Sequence, residues 1–146
     1  MDKKRGQMNI SFGMIFSILL IVFFIAFAFY GIKKFLGFQD TIKIEKFLDD
    51  LQSDVDRVWR GSQASQEKEY YLPKKIEAVC FRAGSQQNGY QNLFFRSSEI
   101  LREDNIEHIN TEKITEDEEP FCIQNIQGKI ALTLEKDFGE TLVNIR

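Results

Sequence analysis

The sequence predicts an α+β fold: one long amino-terminal helix, transmembrane and then amphipathic, followed by a small antiparallel β-sheet head. Three observations predict it. Phe12 to Ile32 is a run of 21 residues without a charge. From Ile44 to Val58 apolar residues recur at helical spacing, and beyond about residue 74 short apolar runs of strand length alternate with turn residues.

The first run contains six phenylalanines (Phe12, Phe16, Phe23, Phe24, Phe27 and Phe29) among many Ile and Leu. As a helix rising 1.5 Å per residue it spans roughly 31 Å, the hydrocarbon thickness of a bilayer. Only a helix keeps its backbone hydrogen bonds satisfied there. A buried core helix fits poorly, because the rest of the chain is too small to cover it. A signal peptide removed after its apolar region fits poorly too, since the run is long and "FYGIKKFLG" lacks an A-x-A-like site. Residues 7–34 are therefore expected to be a transmembrane helix that stays attached, with Tyr30 as an interfacial anchor.

The chain of 146 residues carries a net charge of −3, but unevenly. Residues 1–34 hold five basic residues against Asp2, about +4; residues 35–146 hold 14 basic and 21 acidic, −7. That division argues against a nucleic-acid-binding head, which needs clustered Lys and Arg on the docking surface. Lys3, Lys4 and Arg5 slightly outweigh Lys33 and Lys34 on the other side of the apolar run. The excess favours a cell-membrane, single-pass arrangement with the amino terminus cytoplasmic and the head extracytoplasmic.

Residues 35–60 are expected to continue the helix. Ile44, Leu48, Leu51, Val55 and Val58 form a narrow seam with Phe47 and Trp59 beside it, and charged residues fill the other positions. Gly31 and Gly37 weaken a helix by up to about 1 kcal/mol each without having to break it. The seam has two available partners, the protein's own sheet and neighbouring subunits. Gly61 ends the helix, and residues 61–73, "GSQASQEKEYYLP", show no apolar period and are expected to be a connector.

Residues 74–146 are expected to form the β head, a meander of four or five strands. "KIEAVCFRAG" and "GYQNLFFRSS" suit a hairpin closed between Gly84 and Gly89, and "FCIQNIQGKIALTLEKDFGETLVNIR" suits three further strands with turns at Gln127-Gly128 and Asp137-Phe138-Gly139. Between them Ser97 or Ser98 can cap a short helical turn through Arg102, ahead of an edge strand around Ile106 to Ile114.

No residues assemble a site for chemistry. Cys80 and Cys122 are either two buried thiols or, outside the membrane, a disulfide. Their spacing suits no zinc site. His108 is the only histidine and sits in "NIEHIN", a polar strand edge. "DFG" lacks every other kinase element and reads as a turn. Glu116 to Glu119 lack the spacing of a calcium loop and read as solvated. The expectation is a protein that is not an enzyme, with no catalytic residues, metal or cofactor.

The opening of the chain resembles the amino-terminal end of archaeal type IV pilin-like precursors with a class III signal peptide. In that family a short basic leader ends in glycine, the prepilin-type signal peptidase cuts after it, and the apolar helix stays on the mature protein. Lys3, Lys4, Arg5 and Gly6 match the leader (residues 1–6), and Gln7 matches the first mature residue. Where many pilins carry a glutamate a few residues further on, this sequence has Asn9 and Ser11. The resemblance implies a structural subunit or accessory of a pilus-like envelope assembly. Its partners are the lipid bilayer, the signal peptidase, and other pilin-like subunits through the helix. The alternative is an uncleaved bitopic protein whose head binds another envelope component.

Overall fold

The computed structural model describes residues 12–83, 91–100 and 102–146. Within them the architecture is α+β, a long amino-terminal helix followed by small antiparallel sheets. The chain divides into two compact units, residues 1–39 and residues 40–146.

Helix α1 spans Phe12–Arg60 and passes through Gly31 and Gly37 without interruption. In the first unit its side chains are exposed, from Phe12 to Phe38. In the second, Ile44, Phe47, Leu48, Leu51, Val55 and Val58 are buried in the head's own core. The seam is therefore covered by this chain and is not offered to a neighbouring subunit. Burial of each such side chain contributes on the order of 1.5–3 kcal/mol.

Among the described residues the head has seven strands in two sheets rather than one meander. Strands β1 (Ala64–Tyr71), β6 (Lys129–Lys136) and β7 (Asn144–Ile145) form the first sheet, in the order β1-β6-β7. Strands β2 (Ala78–Phe81), β3 (Leu93–Arg96), β4 (Glu103–Asp104) and β5 (Phe121–Gln124) form the second, in the order β4-β3-β2-β5. The β2–β3 hairpin is as expected; the residues of its loop, 84–90, lie outside those described. At Gln127 (φ 56°) and Gly128 (φ 92°) the chain makes a two-residue turn that carries it from the second sheet to the first. Gly139, at φ 89°, allows the turn after β6, in which Glu140 N–H donates to Asp137 C=O.

Residues 61–73 are not a connector, because Ala64–Tyr71 pairs with β6 along its whole length, Ala64 opposite Lys136 and Tyr71 opposite Lys129. Its inward face carries Ala64, Gln66, Lys68 and Tyr70, so half of that face is polar and the strand has no apolar alternation. The middle segment also differs from expectation. Ser97 Oγ accepts from Glu99 and Ile100 N–H, but the turn does not become a helix. Helix α2 forms later, at Thr111–Ile114, capped by the Asn110 side chain. In place of a long edge strand, Asn92 holds the backbone of Ile106 through two hydrogen bonds of 2.8 Å.

Two buried charges fix the helix on the first sheet. Asp54 accepts from the Tyr70 hydroxyl at 2.9 Å and pairs with Arg57 and Lys68. Lys136 donates to the carbonyls of Trp59 and Gly61, satisfying helix-end acceptors that the helix itself leaves open.

Candidate functional site

Two features bear on function, the exposed apolar half of α1 and the bridged, charged head. Among the described residues, α1 is the one helix long and apolar enough to cross a membrane. None of its most apolar window is buried. Ser17, the polar side chain inside that stretch, donates from Oγ to the carbonyl of Gly13 at 2.8 Å. Its hydroxyl is thus satisfied within the helix, as a hydrocarbon setting demands. The leader residues Lys3, Lys4, Arg5, Gly6 and Gln7, with Asn9 and Ser11, lie outside the described residues.

Cys80 and Cys122 form a disulfide between β2 and β5. The register places them directly opposite each other. Asn125 N–H bonds Glu77 C=O, which makes Cys80 and Cys122 a non-hydrogen-bonded pair, the closer of the two antiparallel pair types. Arg96 of β3 reaches across β2 to Cys122 Sγ at 3.3 Å.

His108 is not on a strand edge. It occupies a turn at φ 65°, stacked on Trp59 with ring centroids 3.8 Å apart. Its Nδ1 lies 3.0 Å from Asp56 Oδ1. Gln52 donates to the same carboxylate and accepts from Glu107 N–H, while Trp59 Nε1 donates to Thr141 C=O. The cluster pins the loop before α2 to the helix, and among the described residues no cysteine or serine hydrogen-bonds the imidazole. Sequence reasoning missed this clasp; the i, i+4 spacing of Gln52 and Asp56 was its one local sign. Among the described residues no three His, Cys, Asp or Glu side chains converge on a metal position.

Four carboxylates stabilise the head when ionised. The hydrogen bond with His108 lowers the Asp56 pKa, that with Arg102 lowers Glu45, that with Lys129 lowers Glu69, and that with Lys113 lowers Glu140. Each group binds protons more weakly folded than unfolded. Its stabilisation is therefore complete above the ordinary carboxylate range, near pH 4, and is lost as pH falls through the lowered native values. The urea midpoint of the head is expected to hold from pH 7 to about 5 and to decline below about pH 4. Asp56→Asn should reduce that decline; a midpoint that rises on acidification contradicts the assignment.

Compared with known protein families, with curated proteins and with solved structures, the chain matches none of them. Function therefore rests on the residues themselves.

Proposed function

We propose that the chain is a single-pass, membrane-anchored structural protein, a pilin-like subunit or accessory of a type IV pilus-like envelope assembly, and not an enzyme. The contrast between the two halves of α1 carries this reading. The half from Ile44 to Val58 is covered by the chain's own head, whereas the half from Phe12 to Phe38 is apolar and exposed. Exposed apolar surface on that scale needs lipid or other helices around it.

The Cys80–Cys122 bridge supports a head outside the cytoplasm, since such bridges persist in oxidising compartments. That agrees with Lys3, Lys4 and Arg5 as a cytoplasmic foot. In the proposed mechanism a prepilin-type signal peptidase cuts between Gly6 and Gln7. Residues 10–32 then move from the bilayer into a bundle of like helices, where phenylalanine and isoleucine contacts replace lipid. Asn9 and Ser11 bring no carboxylate into the bilayer, which eases residence in the membrane before assembly.

Intact mass of the membrane-extracted protein tests the reading. Co-expression with the peptidase should remove Met1 to Gly6, and a bulky residue at Gly6 should prevent the loss. A chain still beginning at Met1 or Asp2 in the presence of active peptidase overturns the pilin-like reading and leaves an uncleaved bitopic protein whose head binds an envelope component.

A further inference from the structure

The outer edge of β1 is open to a further strand. Leu72 N–H donates to Gly128 C=O at 3.0 Å, and the register then makes Ala64, Gln66, Lys68 and Tyr70 the residues that bond β6. The intervening residues of an antiparallel strand turn their backbone groups the other way. Ser65, Glu67, Glu69 and Tyr71 thus present N–H and C=O away from the sheet, at its edge, and no described residue bonds those groups. A groove runs between this edge and α1. Asp50, Ser53 and Arg57 line it from the helix, Lys68 and Tyr70 from the strand, and it continues to Lys46. A free strand edge flanked by a helix is an arrangement that takes an extended peptide by strand addition.

We propose that the β1 edge docks an extended segment of another protein that carries Lys or Arg at alternate positions. Charge selects this occupant. Glu67 is exposed and forms no ion pair among the described residues. It shares the outer face of the strand with Glu69, which pairs with Lys129 of β6 at 2.9 Å, and residues 35–146 carry 14 basic against 21 acidic residues, −7. A cationic side chain on an added strand lies across from Glu67, where opposite charges stabilise the pairing. A second copy fits worse. The two-fold antiparallel registers that overlap most are centred on Glu67 or on Lys68. The first sets Glu67 against Glu67; the second sets Glu67 against Glu69 and Lys68 against Lys68. Like charges directly opposite destabilise a sheet.

Amide hydrogen exchange on the full chain in detergent micelles tests this, with a synthetic peptide of alternating Thr and Lys as the probe. Exchange at the outward amides of Glu67, Glu69 and Tyr71 should slow at least tenfold, while Lys68 and Tyr70, already bonded to β6, stay unchanged. Added salt should weaken the effect, and a peptide of alternating Thr and Glu should not produce it. Glu67→Pro removes an outward donor while sparing the ladder to β6, so it should abolish protection with an unchanged circular dichroism spectrum. Glu67→Lys keeps the backbone intact and should weaken the Lys peptide at least tenfold. Equal protection by both peptides, or none by either, overturns the proposal. So does protection that rises with protein concentration in the absence of peptide, which identifies a second copy as the occupant.

Discussion

Replacing Phe47 by alanine is expected to destabilise the head by about 3–5 kcal/mol, the range for a fully buried phenylalanine. Phe47 is 1% exposed and its ring contacts one residue of each sheet. Its ring meets Tyr70 of β1 edge-on at 5.5 Å and Phe95 of β3 at 5.9 Å. Truncation therefore removes the transfer free energy, opens a cavity, and forfeits two aromatic pairs worth about 0.5–1.5 kcal/mol each. A domain of this size is stable by roughly 5–15 kcal/mol, so the variant should sit near the limit of folding. Trp59, stacked on His108, reports the transition by its fluorescence during urea unfolding. Phe47→Leu keeps most of the volume and should cost under about 2 kcal/mol. Phe35→Ala, on the exposed half of the same helix, should stay within about 0.5 kcal/mol in the same unfolding assay. Equal effects at Phe47 and Phe35 would remove the distinction between the covered and uncovered halves of α1.

That distinction was legible in the sequence because burial imposes a period on it. A charge-free run of bilayer length and a seam from Ile44 to Val58 are patterns that few other arrangements satisfy. The hairpin of β2 and β3 and the turns at Gln127-Gly128 and Asp137-Phe138-Gly139 were legible for a similar reason, since strand length and turn chemistry are local. Strand β1 was not. Its inward Lys68 faces Asp54 on the helix rather than an apolar layer, so a polar stretch concealed a fully paired strand. The split into two sheets was equally hidden, because β5 pairs back to β2 and β6 to β1, and no local signal encodes which distant strand is the partner. The clasp of Gln52, Asp56 and Trp59 on the 107–108 backbone and ring depends on His108 adopting a left-handed conformation, which its flanking sequence does not announce.

The cysteine pair leads to the second large effect. Removing the bridge with Cys80→Ala and Cys122→Ala is expected to cost about 3–4 kcal/mol, the chain-entropy value for a closed loop of this size. The two residues are 42 apart in sequence. The loop between them contains β3, β4 and α2, so without the bridge the unfolded chain regains the freedom of more than a quarter of the molecule. For a head of about 100 residues that corresponds to a fall in Tm of roughly 12–30 °C. Either single substitution already breaks the bond, so Cys80→Ala, Cys122→Ala and the double variant should be destabilised by similar amounts rather than additively. Cys80 is fully buried and Cys122 partly so, and the double substitution also leaves a small cavity that adds to the cost. The same pair tests topology in intact cells. With the head outside, a membrane-impermeant thiol reagent should label neither cysteine until a reductant is added, and afterwards should label Cys122, the partly exposed one. Rapid labelling without reductant would show that no bridge forms. Protection that persists after reduction, with labelling only in permeabilised cells, would place the head in the cytoplasm and overturn the proposed orientation.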